Sequence, residues 1–201
     1  MLWRADAPLV LASKSAIRRT LLETAGVTVE VCPADLDERG LEAKAPLQAP
    51  VAVAALLARE KACFIGRSRP GRLVLGADQT LSLDGARFSK PADRNAARDQ
   101  LRRLSGRSHE LYSAVAFVED QTVFFEHVGV ARLTMRAFSD RFLDDYLDAV
   151  GEAATASVGA YQLEGLGIQL FDRIDGDYFT VLGLPLITAL DFLRQRGCLA
   201  K

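Results

Sequence analysis

Residues 13–19 read Ser-Lys-Ser-Ala-Ile-Arg-Arg, two hydroxyls and three cations with no carboxylate among them. At the start of a helix such side chains add to unpaired backbone N–H groups and a partial positive charge. The chemistry that suits them is phosphate binding. A Ser N-cap followed by two solvated arginines accounts for the same residues. Asp78, in Gly76-Ala-Asp-Gln79, is the second candidate. Beside a phosphate cradle, a carboxylate can hold Mg²⁺ or accept a proton from an attacking water. Taken alone, Asp78 also fits a turn at a strand end. Lys61 and Lys90 are compact point charges suited to the oxygens of a triphosphate, or else solvated surface lysines. Asp35, Asp37 and Glu38 could share a metal with Asp78 or form a polar loop.

These residues need elements to carry them. Leu9-Val-Leu11 is a short apolar run that suits a buried strand. From Thr20 the pattern turns helical through Leu21, Leu22 and Ala25, and Gly26 stands where a helix stops. Val27 to Cys32 alternates as a strand does, and the acidic stretch from Pro33 to Pro50 reads as a loop. Val51 to Phe64 is an Ala- and Leu-rich helix carrying Lys61. Leu73 to Ala77 is a second buried strand, with Asp78 at its C-terminal end and a tight turn at Asp84-Gly85.

Further on, Arg94 to Leu104 is a short amphipathic helix. His109 to Val118 and Thr122 to Met135 form an antiparallel hairpin. Ser139 caps a helix that Gly151 closes. Ile168 to Phe171 is strand-like, and Asp175-Gly-Asp177 is a turn, since it lacks the other ligands of a calcium loop. Pro185 opens a last helix with Leu186, Ile187, Leu190 and Leu193 on its buried side. Strands and helices alternate around one antiparallel pair. The expected architecture is a single α/β domain over residues 1–201, with a mixed twisted sheet flanked by helices. Ligands of open α/β sheets bind past the carboxyl ends of the strands, where both candidate segments arrive.

The totals narrow the function. A chain of 201 residues with 49% hydrophobic and 25% charged residues is ordinary for one globular domain. A net charge of -1 argues against a nucleic-acid or anionic-membrane surface, so a polyanion must be met by a local cationic pocket. No apolar run is long enough to span a bilayer, and Met-Leu-Trp-Arg-Ala-Asp-Ala-Pro lacks the pattern of a signal peptide. Cys32, Cys63 and Cys198 are odd in number and widely spaced, which fits a reducing cytoplasm better than a disulfide framework. His109 and His127 have no metal-ligand spacing and read as structural. P-loop, dinucleotide-binding and nucleophile-elbow patterns are absent.

The pieces also stand in a recognisable order. Leu11-Ala-Ser-x-Ser-x-x-Arg18, Asp37-Glu38, Arg59-Glu-Lys-Ala62, Gly76-Ala-Asp-Gln79, Lys90-Pro91, Leu104-Ser-Gly-x-x-His109 and Gly176-Asp-Tyr-Phe-Thr-Val-Leu-Gly-Leu-Pro-Leu186 resemble the Maf family of nucleoside triphosphate pyrophosphatases. The resemblance implies a Maf/ITPase-like fold and cleavage between the α and β phosphates, in a house-cleaning role. It implies Ser13, Ser15 and Arg18 on the phosphates, Lys61 and Lys90 assisting, and Asp78 as proton acceptor. Glu38 would assist the metal, Mg²⁺ or Mn²⁺, together with Asp78. It also implies a cytoplasmic homodimer. Base choice would fall to Ile17, Gln79 and Glu164. Gln79 and Glu164 resemble the YceF-like branch, associated with 7-methylguanosine triphosphate, although Ile17 stands where that branch carries an aromatic residue. The rival function is a regulator of cell division and septum formation that binds a nucleotide without cleaving it.

Overall fold

The computed structural model describes residues 2–44 and 49–201. Among them one sheet has seven strands: β1 (Leu9–Ala12), β2 (Val29–Val31), β3 (Val74–Leu83), β4 (Ala86–Phe88), β5 (Ser108–Glu119), β6 (Thr122–Met135) and β7 (Phe171–Asp175). The order is β2-β1-β3-β5-β6-β7, with β4 paired to β3. β2, β1 and β3 run parallel, and β5, β6 and β7 continue antiparallel. The sheet is mixed, as the alternation of elements requires.

Seven α-helices are described: α1 (Ala16–Thr24), α2 (Glu38–Lys44), α3 (Pro50–Gly66), α4 (Arg94–Leu104), α5 (Asp140–Val150), α6 (Tyr178–Val181) and α7 (Leu186–Gln195). Successive side chains of a strand face opposite ways, and β1 shows the consequence. Leu9 and Leu11 join Leu22 of α1 and Leu186, Ala189 and Leu193 of α7 in one cluster. Val10 and Ala12 face Ala54, Ala58, Ala62 and Ile65 of α3 on the other side. A third cluster packs Leu81, Leu111 and Leu133 against α4 and α5. Small residues at every fourth position let α3 come close. A Cβ built on Gly76 of β3 would lie 2.0 Å from the Ala58 carbonyl oxygen, so only glycine permits this approach.

Several expectations change at their boundaries. α1 begins at Ala16, four residues ahead of the apolar pattern, because Ser15 caps it. Within the expected loop from Pro33, residues 38–44 are helical, and residues 45–48 lie outside the described residues. β3 runs ten residues, so Asp78 sits inside a strand rather than at its end. Residues 166–170 form a 3₁₀ turn, and the strand begins at Phe171. Ile187 is 61% exposed, and Ala189 takes its place on the buried side of α7. The hairpin, α4, α5 and the turn at Gly176 stand as expected.

Candidate active site

β1 pairs with β3 only as far as Ala12 opposite Gly76. Beyond that point β1 leaves the sheet, and β3 runs without a strand on that side until β4 pairs with it from Leu81. Asp78 therefore emerges just past the carboxyl end of β1, beside the start of α1, although it lies mid-strand. This is the crevice position expected of an open α/β sheet.

The close packing of α3 on Gly76 delivers Lys61 to the same point. Lys61 Nζ lies 2.7 Å from Asp78 Oδ1 and 2.9 Å from Glu38 Oε1. Asp78 and Lys61 are both buried. Burial pushes the Asp78 carboxyl above the ordinary carboxylate range, while Lys61 and then Arg18 pull it back. A raised carboxylate is a better proton acceptor near neutral pH. Glu38 comes from the first residue of α2, the element the sequence did not disclose.

The start of α1 forms the facing wall. Ser15 Oγ accepts from the Arg18 backbone N–H, and Ser13 Oγ accepts from Ser15 N–H at 3.3 Å and from Arg18 Nη1 at 3.1 Å. No acidic residue occupies the first turn. Arg18 is a brace as much as a ligand. Its Nε donates to the Gly183 carbonyl and its Nη1 to the Ala77 carbonyl, each at 2.8 Å, which joins α1, β3 and the α6–α7 turn. Burial lowers the Arg18 guanidinium from its usual value, opposed by Asp78 and Glu38; an arginine stays charged nonetheless. Lys14 and Lys90 are exposed at the rim, with Lys14 3.8 Å from Asp35.

A cavity of about 770 Å³ connects these groups. Ser13, Ser15, Ile17, Arg18, Glu38, Lys61, Asp78, Gln79, Lys90 and Glu164 all line it. The structure separates the carboxylates that the sequence left grouped. Asp37 turns to the N–H of Gly40, capping α2, and among the described residues Asp35 pairs with Lys14. Among the described residues no three His, Cys, Asp or Glu side chains lie close enough to hold a metal alone.

Gln79 is not free to meet a ligand with its amide nitrogen. Nε2 donates to Ser113 Oγ at 2.9 Å and to the Val181 carbonyl at 3.0 Å, and Ser113 Oγ donates to the Thr180 carbonyl at 2.7 Å. Asp177 caps α6 through Thr180. This knot holds Val181 and Leu182 against the cavity. At the same end stand Ser157, Val158, Gln162 and Glu164, and both Gln162 and Glu164 are exposed. Sequence reasoning missed Gln162; its place two residues ahead of Glu164, after Gly159-Ala-Tyr161, was the available signal.

Fold and site together define an α/β protein with a cationic cleft holding one buried carboxylate against a lysine. The chain belongs to the family described as Maf-like protein, whose model matches residues 8–196. It is 55% identical over 199 residues to a protein of Rhodopseudomonas palustris named nucleoside triphosphate pyrophosphatase, covering 99% of this chain and 98% of that one. It is 52% identical over 195 residues to a Mesorhizobium japonicum protein named 7-methyl-GTP pyrophosphatase, covering 95% and 97%. A solved HAM1 protein from Coxiella burnetii overlaps 64% of this chain and 72% of its own at 16% identity, with a TM-score of 0.41, too slight a likeness to build on.

Proposed function

We propose that this chain hydrolyses nucleoside triphosphates at the α–β phosphoanhydride, releasing a nucleoside monophosphate and diphosphate. The observation that carries this is the buried Lys61–Asp78 contact at 2.7 Å, set across the cavity from the α1 N-terminus. Ser13, Ser15 and the first N–H groups of α1 hold phosphate oxygens, with Lys90 and Lys14 meeting the remaining charge from the rim. Arg18 fixes the distance between this wall and β3. Asp78 accepts a proton from water as a new P–O bond forms and the α–β bridge breaks, and diphosphate leaves with the bridging electrons. Lys61 keeps Asp78 oriented and offsets charge on the bridge.

Asp78 and Glu38 fit a divalent cation of a particular kind. Two hard carboxylates, with no third Asp, Glu, His or Cys beside them among the described residues, would suit Mg²⁺ or Mn²⁺ that keeps waters and draws its other ligands from substrate. Such an ion supplies neutralisation of developing charge on the phosphoryl oxygens.

For the base, Glu164 offers only acceptors and Gln162 offers both a donor and acceptors. A guanine edge presents two donors beside one acceptor, which this pair matches. A carboxylate also favours a base made cationic by methylation, in keeping with the name of the Mesorhizobium relative. The proposal extends to a cytoplasmic homodimer, which light scattering would test.

The test is diphosphate release from a panel of canonical and 7-methylated triphosphates with Mg²⁺ or Mn²⁺. Turnover in the wild type, and its loss in Asp78→Asn with the fold intact, is the expected outcome. Full activity in that variant would remove Asp78 from the chemistry.

A further inference from the structure

His109 stands on β5 opposite Leu133 of β6 and is only 1% exposed. Its Nε2 lies 2.8 Å from the Tyr161 hydroxyl, and its Nδ1 meets no hydrogen-bond partner among the described residues. Leaving a buried ring nitrogen unpaired costs stability. Apolar rings surround it: the Phe171 centroid lies 6.1 Å away, and Tyr161 meets Phe171 edge-on at 4.9 Å. A phenylalanine would fill that space without the penalty. The histidine is therefore explained by its single polar contact, the grip on Tyr161.

Tyr161 and Leu163 are the large buried side chains of the segment 157–164, and Tyr161, whose ring also borders the cavity, is the one with a polar group. The chain enters it through two left-handed residues, Gly159 at φ 81° and Ala160 at φ 61°. Glycine is needed first, because a Cβ there would lie 2.7 Å from the Tyr161 ring. Left-handed geometry at an alanine persists only where surroundings impose it. They do so from three elements: Gln100 of α4 accepts from Gly159 N–H, Tyr146 of α5 donates to the Ala160 carbonyl, and His109 holds Tyr161. Beyond this anchor the chain turns outward, and Gln162 and Glu164 face the cavity.

We propose that His109 is a positioning residue for nucleotide recognition: through the Tyr161 hydroxyl it sets the segment carrying Gln162 and Glu164. The proposal rests on the nucleotide reading above, and places the control of base binding in the core, remote from the reacting phosphates.

Steady-state diphosphate release from GTP, with inorganic tripolyphosphate as competing inhibitor, separates the two ends of the cleft. His109→Phe and Tyr161→Phe each raise KM for GTP about fivefold while the tripolyphosphate inhibition constant stays within about twofold. His109→Gln, which keeps a polar group facing the hydroxyl, recovers most of the loss. The double Phe variant is no worse than either single one, because both remove the same contact. KM unchanged in folded His109→Phe, or tripolyphosphate inhibition weakening in step with KM, overturns the proposal. If His109→Phe does not fold, Tyr161→Phe decides alone, since it removes one oxygen and keeps the ring. Wild type that releases no diphosphate defeats the cleavage reading only. GTP affinity by calorimetry then tests the anchor, with a loss of about fivefold in His109→Phe expected and no loss contradicting it.

Discussion

Asp78 and Lys61 form a pair in which neither residue is neutral to the other's loss. Asp78→Asn keeps the shape and removes the proton acceptor, so kcat falls by about 10²- to 10⁴-fold, while Glu38 remains as a counter-charge for Lys61 and the thermal midpoint falls less than on loss of the lysine. Lys61→Met leaves Asp78 buried without its nearest cation. Removing one partner of a buried pair costs about 3–5 kcal/mol, so this variant loses stability as well as activity, which thermal melts beside turnover will show. At the rim, Glu164→Gln exchanges an acceptor for a donor facing the base. Preference for guanine-type over pyrimidine triphosphates falls about tenfold, read from the ratio of kcat/KM values. The ten candidate site residues, of which Ile17, Gln79 and Glu164 were named through the family resemblance alone, all line one cavity. What the sequence could not disclose was how they are used. The amide nitrogen of Gln79 and the Nε and Nη1 of Arg18 donate to backbone carbonyls, and nothing in a linear spacing says which acceptor a side chain will meet.

At the scale of elements, the site depends on how closely α3 lies on β3. Gly76→Ala places a methyl group against the Ala58 carbonyl and pushes the helix away, taking Lys61 with it. A loss of about 1–3 kcal/mol in urea unfolding, with activity falling further than stability explains, is the expected result. Long periodic elements such as α4, α5 and the β5–β6 hairpin were readable because packing imposes their period. α2 was not: seven residues with Gly40 inside them carry no repeat, and Asp37 rather than apolar spacing starts the helix. The start of α1 hid for a similar reason, since its first turn faces the cleft and carries polar residues instead of core ones. The length of β3 hid behind Asp78 itself. A charged residue reads as a strand end unless its partner is known, and Lys61 is the partner.

Across the whole molecule, one sheet joins the clusters that support the phosphate end and the base end. The base-end cluster contains a titration. Burial lowers the His109 imidazole from 6.5 to about 4. Below pH 6.5 the unfolded chain binds a proton that the folded chain refuses until about pH 4. Stability is therefore full above pH 6.5 and declines as the pH falls toward 4, by up to about 3 kcal/mol. Urea midpoints at pH 7 and 4.5 should fall more steeply for wild type than for His109→Phe. The central claim concerns which bond breaks, and phosphorus NMR of the products from GTP tests it most directly. GMP and diphosphate, appearing together and only when Asp78 is present, are the predicted products; GDP with orthophosphate, or the same products from Asp78→Asn, would contradict it.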